Sequence, residues 1–429
     1  NLIRIKMKKL LLTVGYILTG TTLFAQHDTT MVQGKSISDL EQKIYEIEDA
    51  LKDVRNLSVS GYIQTQFQYG EKDASLKVGS ANENKEKSYN RVGIRRGRIK
   101  FAYTRGIGTG VFQLDLTEKG LGLKDAYLKL TDPWLNSISA SLGVFDRPFG
   151  YEISYSSSLR ESPERSTIFQ TLFPEERDLG ARITLQAPKT SPWNILKLDV
   201  GLFAGNGIKS EIDNHKDFIG QLSINNSIKD IIKWGAGVSY YNGGVYQGKK
   251  YIYKNSGNGF IVDSSANNLG SFAKREYVGF NLYLTAYSAI GLTKITSEYL
   301  FGTQPGAKSN SKSPNAATLP TNDVYMRQFN GGYVMLVQDF GTLPVSAIVK
   351  YDWYDPNTKS KGDEIGKNNT DAGDVALNTT GFGLQWKINT NFRLTGYYEL
   401  VQNEKCINLK GYETDKKDNA FTCRLQYKF

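Results

Sequence analysis

The last nine residues of the chain, FTCRLQYKF from Phe421 to Phe429, alternate between apolar and polar side chains without interruption. The odd-numbered positions are apolar, and the even-numbered positions are Thr422, Arg424, Gln426 and Lys428. Successive side chains of a β-strand point to opposite faces of its sheet, so this stretch predicts a strand with one apolar and one basic face. A soluble sandwich would bury the apolar face in a core. A membrane barrel would turn it toward lipid and line a water-filled lumen with the other face.

The first 25 residues have the pattern of a secretory signal peptide. Lys8 and Lys9 precede the apolar stretch Leu10–Leu18, and small residues then lead to a cleavage site after Ala25. The apolar stretch is too short for a spanning helix, so we expect the chain to be exported. Removal of residues 1–25 takes away four basic residues and no acidic one, which lowers the formal net charge from +10 to +6.

The composition favours a barrel over a bundle of membrane helices. No later stretch approaches 18 consecutive apolar residues, although Tyr, Phe and Gly are abundant, with 26, 20 and 42 copies. A barrel with a watery interior needs apolar residues only at every second strand position, which gives such a profile. Two cysteines are too few for a disulfide scaffold, and two histidines leave little material for metal sites. No catalytic residue, metal, cofactor or nucleic acid is expected.

Residues 26–57 are predicted to form a periplasmic linker and a heptad helix ahead of the barrel. Apolar residues recur at alternating spacings of three and four, at Ile37, Leu40, Ile44, Ile47, Leu51 and Val54. This narrow seam is typical of a coiled coil, and isoleucine at both seam positions favours three strands over two. We therefore expect a homotrimer. The alternative is a single amphipathic helix that plugs its own barrel or docks on it.

Residues 58–429 are predicted to form a 16-stranded antiparallel transmembrane β-barrel, because sixteen alternating segments can be placed there. An even number of strands is usual for a bacterial single-chain barrel. The segments begin near Val59, Val92, Gly110, Leu123, Ile138, Gly180, Ile195, Lys216, Ile232, Arg275, Leu292, Asp323, Val345, Thr379, Asn391 and Asp418.

The connections between these segments support the barrel independently. Connections after even-numbered segments are short, such as RGIGT near residue 105 and NTN near residue 389. Those after odd-numbered segments are mostly long, with Lys119-Gly120 as the exception. Short periplasmic turns opposite long external loops are the arrangement of outer-membrane barrels, and a soluble sandwich gives no reason for it.

The second and third segments indicate what lines the lumen. Ile99, Phe101 and Tyr103 share the predicted lipid face, so Arg96, Arg98 and Lys100 point inward, as does Asp115 of the next segment. Adjacent cations in a confined channel attract anions. The alternative is that these cations pair with lumen acids. By the same parity Arg95 belongs with the lipid-facing set unless the strand starts after it.

The long loop from Pro148 to Leu179 is the second candidate for the pore lining. It is rich in serine and arginine, including Ser156, Ser157 and Arg165, and Arg147 and Arg177 stand at its two ends. Its length suits a constriction folded into the lumen, and the alternative is a solvated external loop. The stretch around residues 368–374 is rich in Asp and Asn but lacks the spacing of a calcium loop, so an ordinary solvated loop is expected.

Several stretches resemble the phosphate-selective porin O and P family of bacterial outer membranes. They are RRGRIKF from Arg95, LKDAYLKL from Leu123, GVFDRPFGYEISYSSS from Gly143, ERS from Glu164, GLFAGNG from Gly201, KDF from Lys216, EYLFGTQPG from Glu298 and KYDWYDPNT from Lys350. The resemblance implies a trimeric 16-stranded channel in which basic residues guide anions toward a constriction loop. By position it assigns that role to Arg95, Arg96, Arg98, Asp115, Ser156, Ser157 and Arg165. The chain departs from the pattern in its first strand, which lacks Arg and Lys from Tyr62 to Tyr69, and in the glutamates of its loop.

Three functions remain open at this level. The first is an outer-membrane porin for passive, anion-preferring diffusion, with phosphate among the solutes. The second is a barrel that serves as a structural or interaction platform in an envelope complex, with a blocked lumen. The third, a hydrolase, would need a histidine beside a reactive serine, and only His215 lies in the barrel region. The expected partners are outer-membrane lipid, small anionic solutes and two further copies of the chain.

Overall fold

The computed structural model describes residues 37–429, with side chains described from residue 41 except at 49–54. The chain divides into two compact units at Arg55/Asn56. The first contains the helix α1 (Ile37–Asn56), and the second contains a short helix, α2 (Thr167–Leu172). The strands are β1 (Leu57–Gly70), β2 (Tyr89–Arg105), β3 (Gly108–Thr117), β4 (Gly120–Thr131), β5 (Ile138–Asp146), β6 (Arg177–Leu185), β7 (Leu196–Phe203), β8 (Asp217–Ile228), β9 (Ile232–Tyr246), β10 (Ile252–Asn255), β11 (Phe260–Asp263), β12 (Phe272–Ser288), β13 (Gly291–Gly306), β14 (Val324–Asp339), β15 (Val345–Asp355), β16 (Leu377–Lys387), β17 (Phe392–Asn403) and β18 (Ala420–Lys428).

Sixteen of these strands form a closed antiparallel barrel. Strands β1–β9 and β12–β18 each pair with their sequence neighbours, and β1 pairs with both β2 and β18 to close the ring. The prediction of a 16-stranded antiparallel barrel is confirmed, and every barrel strand starts within three residues of its predicted position. The sequence pattern missed β10 and β11, a hairpin in the connection between β9 and β12 that pairs in parallel with β14. Each has only four residues, too few to show alternation.

The connections follow the predicted alternation. At one end of the barrel, here called the turn end, connections such as 106–107 and 289–290 have two residues. At the other, here called the loop end, the connections include 71–88, 147–176 and 404–419. No helix among residues 37–429 is both long enough and apolar enough to cross a membrane.

The barrel strands present apolar side chains outward, and their inward faces carry polar side chains together with the aromatic and aliphatic residues that meet the constriction loop. In β18, Thr422, Arg424 and Gln426 are buried in the lumen, whereas Leu425 and Tyr427 are exposed on the outer wall. Tyr299, Tyr351 and Trp353 form a row of stacked rings on that wall. A continuous apolar outer surface would be costly in water and is satisfied by lipid.

The hydrophobic core of the barrel lies inside its lumen. The segment 147–176 between β5 and β6, here called the constriction loop, folds inward and carries α2. Its Phe149, Phe169 and Phe173 are at most 1% exposed and pack against inward rings of the wall, among them Tyr241 and Tyr277. The prediction of an inward-folded loop is therefore confirmed over the solvated alternative. Burial of large aromatic side chains, at about 25 cal/mol per Å² of apolar surface, holds the loop inside.

The helix α1 covers the predicted heptad seam. Ile44 and Ile47 are 56% and 58% exposed, and the side chains of the other seam residues lie outside the described part of the chain. The coiled coil stays a prediction. The predicted signal peptide, residues 1–25, also lies outside the described residues.

Candidate functional site

Two β-bulges deliver extra basic side chains to the lumen. Gln64 of β1 faces Arg96, but the next residue, Thr65, faces Ile94, so Arg95 is an extra residue in β2. The same shift makes Lys124 an extra residue in β4, opposite Gln113 and Leu114 of β3. A bulge leaves the extra residue outside the ladder and re-aims its side chain. This explains why Arg95 reaches the lumen although its sequence parity matches the lipid face.

Glu164 of the constriction loop accepts charged hydrogen bonds from three arginines. Nε and Nη2 of Arg95 lie 2.9 Å from its two oxygens, Nη2 of Arg96 lies at 2.8 Å and Nη2 of Arg424 at 2.7 Å. Burial alone would raise the pKa of the Glu164 carboxyl, but the three guanidinium groups outweigh it and hold the pKa well below its usual range. One carboxylate thus neutralises only one of three positive charges.

A second loop glutamate, Glu176, has a similar environment. It forms ion pairs with Arg165 of the same loop, with Lys124 at 3.1 Å and with Arg177 at 3.0 Å. Burial raises the pKa of the Glu176 carboxyl, and the three cations lower it by more, so the pKa lies well below the usual range. Arg177 also donates from Nε to Asp125 of β4 at 2.9 Å. Both bulge residues therefore fasten the loop to the wall through its glutamates.

The serine segment of the loop contacts the wall beside these clusters. Arg98 donates from Nη1 to Oγ of Ser157 at 3.0 Å and from Nε to Asp115 at 3.1 Å. The Ser157 and Tyr62 hydroxyl oxygens lie 2.5 Å apart. Oγ of Ser156 lies 3.0 Å from Oγ of Ser158, and Ser156 remains exposed. Hydroxyl groups both donate and accept hydrogen bonds. This segment can therefore hydrogen-bond to the side chains of the barrel wall and still offer hydroxyl groups to a solute.

Arg160 lies buried beside these clusters. Its side chain is 3% exposed, and none of its three guanidinium nitrogens forms a hydrogen bond with the described residues. Burial and the nearby charges of Arg165 and Arg96 hold its pKa well below the usual arginine value, and the carboxylates of Glu152 and Glu164 oppose that shift. A buried guanidinium without hydrogen bonds is costly.

A cavity of about 440 Å³ lies between the constriction loop and the wall formed by β18 and strands β1–β6. Its lining includes five basic side chains and two acidic ones, Asp125 and Asp146. The basic residues are Arg98, Lys100, Arg165, Arg177 and Lys428. Among the described residues, the ammonium groups of Lys100 and Lys428 have no ion pair or hydrogen bond. The cavity therefore combines a surplus of positive charge with two free lysines.

The ten predicted site residues fall into three groups. Six of them line the cavity: Arg98, Lys100, Ser156, Ser157, Arg165 and Arg177. Arg95 and Arg96 bind Glu164, and Asp115 binds Arg98. Arg147 needs a correction, because it does not reach this space. It is 2% exposed and pairs with Asp178 at 2.9 Å behind the loop, near the Phe173 ring, so it anchors the base of the loop.

Other residues of the site are not singled out by the sequence pattern. Arg424 and Lys428 lie on the inward face of β18, and strand parity in a closed barrel places them beside the first strand, one strand away from the basic row of β2. Lys124 could not have been found in this way, because its parity points outward and only the bulge turns it inward. The role of Glu164 and Glu176 as acceptors depends on contacts between segments far apart in sequence.

No metal or hydrolytic site is apparent in residues 37–429. Within this range no group of three or more His, Cys, Asp or Glu side chains could hold a metal ion. His215 stacks on Phe272 with ring centroids 4.6 Å apart and lies 3.7 Å from Asp217. In the described part of the chain its ring forms no hydrogen bond with a serine.

The expectation of an ordinary solvated loop at residues 368–374 is wrong for its last residue. Asp374 is fully buried and accepts hydrogen bonds from Arg327 at 2.8 Å and from Asn357 at 2.9 Å. Arg327 is inward-facing and fully buried, and it needs a counter-ion. The loop folds over the barrel mouth to supply one.

The described fold is similar to those of solved outer-membrane porins. OmpT from Vibrio cholerae, in a trimer form, superposes with a TM-score of 0.52 at 11% identity over 87% of this chain and 99% of that one. The outer membrane channel DcaP of Acinetobacter baumannii gives a TM-score of 0.51 at 13% identity, over 87% of this chain and 97% of that one. OmpF of Salmonella typhi, in complex with daunomycin, gives a TM-score of 0.53 at 12% identity, over 87% of this chain and 97% of that one.

Comparisons at the level of sequence identify no relative. No protein-family model matches the chain, and no curated protein matches it. The identities to the solved structures are low, so the likeness concerns the fold. The fold is that of a bacterial outer-membrane porin barrel, and it is this fold that the sequence encodes.

Proposed function

We propose that the protein is an outer-membrane porin that lets small anions diffuse passively through its lumen. The observation that supports this most directly is the cavity beside the constriction loop, whose lining has five basic residues and two acidic ones. Positive charge in a confined, partly low-dielectric channel concentrates anions and lowers the barrier to their entry. Phosphate is one candidate solute, by resemblance to the phosphate-selective family.

The two free lysines give the cleanest test. Replacing both Lys100 and Lys428 with Glu changes the formal charge of the cavity lining from +3 to −1. We expect the anion preference of the channel to fall or invert, measured as the reversal potential across a planar bilayer with a salt gradient. Neither lysine is engaged in an ion pair within the described residues, so the barrel should still fold.

A matched control makes the same charge change at two exposed lysines outside the cavity. Lys85 and Lys87 lie exposed in the connection between β1 and β2, and their ammonium groups form no ion pair with the described residues. The double change to Glu there should leave the reversal potential near that of the wild type. If the lysines of the cavity and those of the loop have equal effects, the cavity does not set selectivity and the proposal is wrong.

A homotrimer is the assembly we propose. The heptad pattern from Ile37 to Val54 favours three helices, and a trimer form is known for OmpT of Vibrio cholerae. The seam spans under three heptads, which is marginal for an isolated coiled coil, so contacts between barrels must contribute.

A platform with a blocked lumen is the second candidate, and one observation favours it. The constriction loop bonds to opposite sides of the barrel: Gln64 of β1 donates to the Ser157 carbonyl at 2.9 Å, and Ser239 of β9, eight strands away, accepts from the Gly150 N–H at 2.9 Å. A loop fixed at both walls narrows the passage between them. A folded, inserted wild-type barrel without conductance would support the platform and exclude the porin.

A further inference from the structure

The size of the cavity exceeds what a bare inorganic anion needs. Its volume of about 440 Å³ lies within the roughly 300–1,000 Å³ typical of small-molecule pockets. One water occupies about 30 Å³ of liquid, so a single tetrahedral ion would leave most of this space to solvent. The dimensions suit a solute with an organic body.

The walls of the cavity are rich in hydroxyl groups. Ser154 and Ser156 face it from the constriction loop, both exposed, and Ser60 faces it from β1. The phenols of Tyr62 and Tyr127 line it as well. A hydroxyl group can donate and accept, which complements the hydroxyl groups of a sugar. A tyrosine ring offers a flat apolar surface beside its polar tip, which complements the C–H face of a sugar ring.

One carboxylate in the cavity distinguishes among anions. Asp146 is partly exposed in the lining, and its oxygens accept no hydrogen bond from other described residues, although it stands opposite Arg177 on β6 and interacts with that charge. By contrast, Asp125 accepts a hydrogen bond from Arg177 at 2.9 Å. A carboxylate with open acceptor positions repels a bare anion, but it accepts hydrogen bonds from the hydroxyl groups of a polyhydroxylated one.

The free cations stand at one side of this space. Lys100 lies opposite Ser60, and Lys428 lies opposite Tyr62, on the two strands that flank β1. Two strand spacings and a two-residue offset along β1 separate their backbones by roughly 12 Å, and the long lysine side chains can converge on one charged group. We propose that the cavity binds anionic monosaccharides, with the carboxylate or phosphate at the lysines and the sugar hydroxyl groups at the loop serines and Asp146. This inference rests on the proposed anion channel and names its solute class.

The test is titration calorimetry on the purified full chain in detergent. Glucose 6-phosphate and glucuronate are compared with inorganic phosphate, acetate and neutral glucose. Each added hydrogen bond contributes a factor of about five in affinity. We therefore expect glucose 6-phosphate to bind roughly tenfold or more tightly than inorganic phosphate, and glucuronate to exceed acetate similarly. Neutral glucose should bind more weakly than either sugar anion.

The variant Asp146→Ala separates the two kinds of anion. Its affinity for glucose 6-phosphate should fall about fivefold through loss of an acceptor, whereas its affinity for inorganic phosphate should rise through loss of repulsion. Asp199→Ala removes a lumen carboxylate of β7 outside the cavity. It should leave the ratio of the affinities for glucose 6-phosphate and inorganic phosphate unchanged. Lys100→Gln should lower the affinity for glucose 6-phosphate and the affinity for inorganic phosphate by the same factor. If Asp146→Ala fails to fold, this variant still tests whether both ligands place their charged group at the lysines.

The outcomes separate this inference from the proposed function. Equal binding of inorganic phosphate and glucose 6-phosphate, or equal weakening of both by Asp146→Ala, overturns the sugar-anion assignment. A wild-type channel that prefers anions in the bilayer but is not blocked by glucose 6-phosphate overturns it too and leaves the porin intact. A channel without anion preference would refute the proposed anion selectivity, and the calorimetry would still decide the ligand.

Discussion

Glu164→Gln tests how the constriction loop is held and what occupies the arginine cluster. The carboxylate accepts four hydrogen bonds from Arg95, Arg96 and Arg424 at 2.7–2.9 Å. Unit charges about 4 Å apart attract by roughly 4 kcal/mol at an effective dielectric constant of about 20. Removal of one partner of a buried ion pair typically costs about 3–5 kcal/mol. We expect the amide, which keeps the shape and loses the charge, to lower the free energy of unfolding by about that amount.

The same variant should become sensitive to added anions. Three guanidinium groups without a carboxylate form a vacant anion site, whereas in the wild type Glu164 occupies it. A ligand at a hundredfold excess over its Kd stabilises the folded state by about 2.7 kcal/mol. Phosphate should therefore restore much of the stability of the variant and little of that of the wild type.

The assay is urea unfolding in lipid vesicles, followed by tryptophan fluorescence, with and without phosphate at constant ionic strength. Glu161→Gln is the matched control, because Glu161 lies in the same loop but pairs with one cation, Lys294, at 3.0 Å. Its loss of stability should be smaller and insensitive to phosphate. If Glu164→Gln is as stable as the wild type, or if phosphate stabilises both equally, the carboxylate is not the counter-ion of the cluster.

Three further predictions concern topology, assembly and acid stability. A tag in the connection 247–271 should be labelled on intact cells, and a tag at the turn 289–290 should not; the reverse pattern would invert the barrel. Ile44→Asp with Ile47→Asp should weaken the trimer by placing charge in the heptad seam, and wild-type cross-linking that yields only monomers would refute the trimer itself. Asp132 caps its turn by accepting four backbone N–H groups, foremost that of Ile138, which lower its pKa to about 2. Because the folded pKa is depressed, Asp132→Asn should reduce stability at neutral pH, and its difference from the wild type should disappear as the pH falls from about 4 toward 2.

The barrel could be predicted from sequence because its two signals recur along all sixteen strands and nearly all of the connections between them. Alternation within strands and alternation of loop lengths both follow from local chemistry, so errors at one strand do not spread. The β10–β11 hairpin lacks both signals. It is held by stacking of Tyr253 on Tyr325 at 4.2 Å and by parallel pairing with β14, contacts between residues distant in the chain.

The site was predictable only where a strand keeps strict parity. Parity placed Arg96, Arg98 and Lys100 inward, but it could not say that the first two are paired and the third is free. A charge reversal at Arg96 and Arg98 looks harmless to folding from sequence, since the lipid face is untouched. In the structure it would put new carboxylates beside Glu164 and Asp115, so the outcome would mix selectivity with stability.

The attachment of the constriction loop to the closing strands has a consequence for the order of assembly. Gln64 of β1 and Gln426 of β18 hydrogen-bond to each other at 2.7 Å and to the carbonyls of Ser157 and Ser158 at 2.9 and 3.1 Å. Insertion of a loop with several fully buried aromatic rings into a closed barrel would require the packed lumen to open. We therefore expect the loop to fold onto the growing sheet before β1 and β18 pair. The carbonyls of Ser157 and Ser158 would then bind both strands as these come into register.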